Sequence, residues 1–195
     1  MNVIEAAKKV NVNHFISLGT GCVYPSQIVN GGYSETQLWN GNVDSSEYGY
    51  AHSKRHMLAG LQSLKVSSDI KFTYVISCNL FGPNDNFNEE TGHVIPSLIS
   101  KFEKKLSGQN SKINLWGNGS AVRDFLSSLE MARAIEFFID MGPQGVINVC
   151  SGFKRSIKDI IMAISEISGV SKDSFEWDNS KPVSYTHLRA HETDL

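Results

Sequence analysis

The run Tyr50-Ala-His-Ser-Lys54 sets a phenol and an ammonium four residues apart, the interval that stacks side chains on one face of a helix. An ammonium beside a phenol favours the phenolate, which eases proton transfer near neutrality. A hydroxyl completes such a set by sharing the proton or orienting a carbonyl. Thr20 supplies one if the strand read at 14–18 ends beside Tyr50. It lies in Leu18-Gly-Thr-Gly-Cys-Val-Tyr-Pro25, where the glycines let backbone approach a ligand closely and Thr20 and Cys22 can project nearby. Taken alone, the Tyr–Lys spacing also describes a tyrosine-rich helix start with a solvated lysine.

The elements that must position these groups follow from hydrophobic periodicity. Apolar Val3, Ile4, Ala6, Ala7 and Val10 predict a helix over 2–10, and His14-Phe-Ile-Ser-Leu18 a short buried strand. Residues 26–47, rich in Gly, Asn, Ser and Thr, read as an irregular lid or ligand-covering segment. Residues 50–64 read as a helix and 72–78 as the next strand, with a loop over 79–91. A helix at 93–106 accommodates Pro96 only in its first turn. Then come a brief strand at 113–116, a helix at 130–139, a strand at 146–149, a helix capped by Ser156 and a last strand at 175–177. This order predicts an α/β fold with apolar strands covered on both faces. Cys78 and Cys150 fall within strand patterns and read as core residues.

Four runs occur in order: Gly19-Thr-Gly-Cys-Val-Tyr-Pro25, Tyr50-Ala-His-Ser-Lys54, Asn79-Leu-Phe-Gly-Pro-Asn-Asp-Asn-Phe87 and Gly92-His-Val-Ile-Pro96. Together, across residues 2–149, they resemble the GDP-L-fucose synthase group of the extended short-chain dehydrogenase/reductase (NAD-dependent epimerase/dehydratase) family. The resemblance implies a partial Rossmann-like parallel sheet with part of a smaller substrate-binding lobe. It also implies a two-stage reaction. Two centres beside the ketone of GDP-4-keto-6-deoxy-mannose are inverted, and the ketone is then reduced with NADPH to give GDP-L-fucose.

By the same resemblance, Thr20 matches the catalytic hydroxyl, Tyr50 the proton donor, and Lys54 the residue that binds the cofactor ribose and tunes the tyrosine. Cys22 and His93 match the acid/base pair of epimerisation. That role makes chemical sense, since protons beside a ketone need a base on one face and an acid on the other. Asn79 and Leu80 match the segment that approaches the nicotinamide of NADP(H). Trp116-Gly-Asn-Gly followed by Arg123-Asp-Phe125 resembles the family's Trp-Gly-x-Gly and Arg-Glu/Asp-Phe segments. There Trp116 lines the sugar or nucleotide pocket, Arg123 holds the substrate diphosphate with its guanidinium fork, and Lys101 is a second phosphate contact. From composition alone, Trp116 reads as core, Arg123 as half of a surface ion pair and Lys101 as a solvated lysine.

The chain departs from the pattern at Thr20 (usually serine), Gly21, Asn84 (usually histidine) and Ser127-Ser-Leu-Glu130. These changes point to another nucleotide 4-keto-6-deoxy sugar as the alternative substrate. A neighbouring nucleotide-sugar 4-epimerase, reductase or dehydratase would share Thr20, Tyr50 and Lys54 without needing Cys22 and His93. The family forms homodimers through helices beside the active-site helix, and the apolar positions after Tyr50 permit such an interface.

Composition sets outer bounds. With 195 residues, 41% hydrophobic and 19% charged, the chain can build a sizeable core. A net charge of −2 recruits neither nucleic acid nor acidic lipid. Three scattered cysteines form no CxxC pair, which fits a reducing, cytoplasmic setting without a thiolate metal site. No strand–helix junction carries GxGxxG or GxxGxxG. The expectation is therefore a truncated domain over 1–182 whose N-terminal glycine motif is missing, with negligible NADPH affinity of its own. Residues 183–195, with Val183-Ser-Tyr-Thr-His-Leu-Arg-Ala-His-Glu-Thr193, resemble a translated sequencing adapter, so His187 and His191 are given no function.

Overall fold

A computed structural model of the chain describes residues 2–27 and 32–180. The adapter-like run, with His187 and His191, lies outside the described residues. The described residues fall into two compact units, one built from 2–79 and 129–152, the other from 80–128 and 153–180.

The first unit is a parallel three-stranded sheet, ordered β1 (His14–Leu18), β2 (Lys71–Ser77), β6 (Gly145–Val149). Parallel neighbours require crossover connections, here provided by helices. Between β1 and β2 runs α2 (Tyr48–Ser67), while α1 (Asn2–Lys9) precedes β1 and α4 (Ser128–Met141) precedes β6. The central strand β2 carries the core, with Tyr74, Val75 and Ile76 fully buried. Each such side chain contributes about 1.5–3 kcal/mol by leaving water. Its register against β1 pairs Ser17 with Tyr74 and Leu18 with Val75. Beyond Leu18 the ladder gains one more bond, Gly19 N–H to the Val75 carbonyl at 2.6 Å.

Helix α2 begins two residues earlier than periodicity predicts, and its buried stripe is Ala51, Arg55, Leu58, Leu61 and Leu64. Tyr50 and Lys54 lie beside that stripe. Of the segment read as a lid or ligand-covering stretch, the described residues 32–47 pack into this unit: Tyr33, Leu38 and Val43 are buried. Two 3-10 turns, Glu35–Gln37 and Ser45–Glu47, give the segment local order. Cys150 corrects another expectation, since it follows β6 and is only half-buried.

The second unit contains a three-stranded sheet, β3 (Asn79–Phe81), β5 (Val122–Ser127), β7 (Lys154–Ser156), and a parallel pair, β4 (Ile113–Trp116) with β8 (Phe175–Asp178). The segment read as a loop from Asn79 thus opens with a strand, and Arg123 sits on a strand that periodicity misses. Helices α3 (Val94–Leu106) and α5 (Ile157–Ser168) close a core of Leu98, Phe102, Ile113, Leu115, Ile161 and Val170. Ser156 caps α5 as predicted: its hydroxyl accepts from Asp159 N–H while the Asp159 carboxylate accepts from Ser156 N–H. Among the described residues no helix is long and apolar enough to cross a membrane.

Candidate active site

The exit of β1 is built for close contact. Thr20 is extended and opens a 3-10 turn over Gly21–Val23, its Oγ1 accepting from Cys22 N–H at 3.4 Å. This sets the Thr20 hydroxyl and the Cys22 side chain on one turn, both half-buried. Gly19 must lack a side chain here, because a Cβ would stand 2.5 Å from Tyr74 Cε1. The Tyr74 ring occupies that space and is fully buried.

Helix α2 brings its charge to the same strand end. Lys54 Nζ donates to the Leu18 carbonyl at 2.9 Å and stands 5.9 Å from the centre of the Tyr50 ring. Tyr50 is half-exposed, leaving its phenol reachable. Strand β1 thus ends against α2 at Lys54, one helical turn beyond Tyr50. An ammonium has three donors, and the Leu18 carbonyl engages one.

Two residues outside any recognised motif hold this arrangement. Tyr74 donates its hydroxyl to the Lys54 carbonyl at 3.0 Å, fastening α2 to the central strand. Burial, assisted by neighbouring Tyr50, pushes the Tyr74 phenol well above its ordinary range, so it stays a neutral donor. Arg55, 7% exposed, donates from Nε to the Val23 carbonyl at 2.8 Å. Its Nη2 donates to the Leu38 and Gly41 carbonyls at 2.7 and 3.0 Å, and its guanidinium carbon lies 5.5 Å from the centre of the Trp39 ring. The guanidinium therefore clamps the Cys22 turn to α2 and to the 38–41 segment. One signal could have revealed it: a charge at the i+4 position of an otherwise apolar stripe, Ala51-x-x-x-Arg55-x-x-Leu58.

A second buried network packs Tyr24, the residue that ends the Cys22 turn. Tyr24 donates its hydroxyl to Asn148 Oδ1 at 2.7 Å and stacks on Tyr33 at 5.1 Å. Asn148 donates from Nδ2 to the Tyr33 carbonyl and from its backbone N–H to Glu35. The turn is thus held from both sides.

Burial raises the Cys22 thiol above its ordinary pKa, and the nearby Glu47 and Asp44 carboxylates add to the rise; the Thr20 hydroxyl opposes it. Cys22 is therefore protonated at neutral pH, the state an acid needs before it gives up a proton. With Cys78 and Cys150 changed to serine, the alkylation profile of Cys22 should have its midpoint above that of free cysteine. Thr20→Val should move it higher still. A midpoint at or below the free-thiol value would contradict this environment.

In the second unit, His93 holds the N-cap position of α3, exposed and making no side-chain cap bond. Gly92 before it must be glycine, since a Cβ would strike the Asn86 and Asn88 carbonyls. Lys101 is buried, with Nζ donating to the Asn114 carbonyl at 2.7 Å and lying 5.1 Å from the centre of the Trp116 ring. Burial lowers its pKa while nearby Glu89 raises it. Lys101 is thus no solvated lysine, and Trp116, half-exposed, is no core residue. Arg123 is 8% exposed on β5, and Asn79 and Leu80 are the first two residues of β3, with the boundary between the units falling between them. The candidates therefore form two groups: Thr20, Cys22, Tyr50, Lys54 and Asn79 in one unit, Leu80, His93, Lys101, Trp116 and Arg123 in the other. Among the described residues no group of three or more His, Cys, Asp or Glu could hold a metal ion.

A parallel sheet with crossover helices, carrying a Tyr–Lys helix against a strand exit that bears a hydroxyl, defines a Rossmann-like α/β protein. Residues 1–150 match the NAD dependent epimerase/dehydratase family, and the chain belongs to it. It is 32% identical over 193 residues to a GDP-L-colitose synthase of Yersinia pseudotuberculosis, covering 94% of this chain and 60% of that protein. It is 28% identical over 191 residues to the GDP-L-fucose synthase of Escherichia coli K12, covering 93% and 59% respectively. The chain thus spans about three-fifths of the length of these relatives. A crystal structure of a GDP-L-fucose synthetase from Naegleria fowleri bound to NADP aligns with a TM-score of 0.83 at 28% identity, over 97% of this chain and 60% of that one. A GDP-6-OMe-4-keto-L-xylo-heptose reductase from C. jejuni shares the fold, with a TM-score of 0.85 at 21% identity over 99% of this chain and 66% of that one.

Proposed function

We propose that the protein containing this chain is a GDP-sugar epimerase/reductase, converting GDP-4-keto-6-deoxy-mannose to GDP-L-fucose with NADPH. One observation carries the reading: Lys54, stacked near Tyr50, is bonded to the end of the strand whose next turn bears Thr20 and Cys22. A plain binding module has no need of a phenol, an ammonium, a hydroxyl and a thiol gathered at one strand end.

These residues suit NADP(H). A reachable phenol and an ammonium with donors beyond the Leu18 bond fit a ribose and the reactive end of a nicotinamide. Lys54 and Tyr50, with Asn79 and Leu80, would hold it, and when bound it supplies the hydride for the ketone carbon. Tyr50 gives its proton to the ketone oxygen as that carbon is reduced, Thr20 orients the oxygen, and Lys54 stabilises the phenolate left behind. For the preceding inversions, one partner of the Cys22–His93 pair removes the proton beside the ketone and the other returns one to the opposite face. Arg123 and Lys101 bind the diphosphate, and Trp116 lines the nucleotide-sugar pocket.

The test is turnover of GDP-4-keto-6-deoxy-mannose with NADPH in deuterium oxide. GDP-L-fucose carrying deuterium at both carbons flanking the former ketone is expected, with that exchange lost in Cys22→Ser. Reduction without exchange would sink the epimerase half. The 32% identity to a GDP-L-colitose synthase favours a second reading, a neighbouring GDP-4-keto sugar as substrate. Comparing kcat/KM for the two ketones separates them.

A further inference from the structure

Strand β7 was not foreseen, and its register places a second guanidinium opposite the first. β5 and β7 run antiparallel with Val122 opposite Ser156, Arg123 opposite Arg155 and Asp124 opposite Lys154. Residues directly opposite in such a pair project from the same face, with Cβ atoms about 4.5–5.5 Å apart. The Asp124–Lys154 pair on the other face is charge-complementary. The Arg123–Arg155 pair sets like charges together, an arrangement that repels by itself and becomes favourable around an anion.

We propose that Arg123 and Arg155 form a two-guanidinium site for the diphosphate of the nucleotide sugar, Arg123 taking one phosphoryl group and Arg155 the other. The inference rests on the GDP-sugar reading above and adds Arg155 to it. Arg123 is 8% exposed whereas Arg155 is exposed, so the pair grades from the strand interior to solvent. That gradation suits a bound diphosphate with one phosphoryl group deeper than the other. Arg155 is also pre-oriented: its guanidinium carbon lies 6.0 Å from the centre of the Phe153 ring, a residue 67% exposed. Stacking on an aromatic face leaves the edge of the fork for phosphate oxygens. The nearby start of α5 does not compete for the anion, because Ser156 and Asp159 already cap it.

The experiment is calorimetric titration of the chain with GDP and with GMP. Arg155→Gln should weaken GDP by about tenfold and GMP by less than about threefold, because the second phosphoryl group is the one it loses. Arg155→Lys should recover part of the difference, keeping charge without the fork. Lys154→Gln removes the same charge from the opposite face and should leave GDP affinity unchanged; melting curves establish that each variant is folded. GDP affinity unaltered by Arg155→Gln overturns the inference alone, as does an equal loss in Lys154→Gln, which would mark a mere net-charge effect. Failure of the unmodified chain to bind GDP overturns the reading beneath it. NADP+ is the second source of a diphosphate, and its displacing GDP at similar concentration would overturn the assignment to the sugar nucleotide.

Discussion

Tyr50→Phe should lower reduction of the 4-keto sugar by about 10²–10⁴-fold, the range expected when a positioned acid is removed. The ring and its packing remain, and Lys54 keeps its bond to the Leu18 carbonyl, so stability should change little. Tyr50 is half-exposed, and removing a hydroxyl at such a position leaves no buried group unsatisfied. On the proposed reading Tyr50 serves the ketone oxygen and the Cys22–His93 pair the flanking carbons, so the two stages should separate. Deuterium exchange at those carbons should persist in Tyr50→Phe while NADPH consumption collapses. Proton NMR in deuterium oxide beside NADPH absorbance reads both. Equal loss of exchange and reduction would instead assign Tyr50 to binding or to the enolisation itself.

The second large effect is structural. Arg55→Met should destabilise the first unit by about 3 kcal/mol, and by more if the abandoned carbonyls stay dry. Three carbonyls, Val23, Leu38 and Gly41, accept from this one guanidinium. Bonds to a charged group are worth about 1.5–3 kcal/mol each, and water entering the gap recovers part of that. Burial lowers the Arg55 pKa, but the guanidinium remains charged at any pH used for folding. The loss should therefore be insensitive to pH between neutrality and mild alkali. Urea titrations of wild type and variant at two pH values measure it. Since the Val23 carbonyl belongs to the turn that carries Cys22, Arg55→Met should also speed Cys22 alkylation in the Cys78, Cys150-free background. A stability loss with unchanged alkylation would confine Arg55 to packing the 38–41 segment.

Much of the site was legible before any coordinates. Tyr50 and Lys54 share a face because a helix repeats every 3.6 residues, and the short run carrying Phe15, Ile16 and Leu18, followed by glycines, reads as a strand exit. Both are local regularities, and β1 and α2 follow them. The burial of Leu38 and Val43 was not legible, because few apolar residues mark this polar stretch and only contact with the rest of the unit makes them core. Lys101 was misjudged from composition for a related reason. Its carbonyl partner, Asn114, is thirteen residues away on another element.

By itself, the sequence determined the chemical inventory and its local order: phenol and ammonium on one helix face, hydroxyl and thiol on one turn, and a parallel α/β framework from alternating helices and apolar strands. Tertiary structure alone decided which side chains hold that inventory in place. Arg55 and Tyr74 act on carbonyls of residues up to 32 positions away, and Arg155 meets Arg123 only through the register of β5 and β7. Periodicity records what one element does to its own neighbours along the chain. A carbonyl acceptor or a cross-strand partner leaves no mark in side-chain identity, because every residue has the same backbone and register is set by packing.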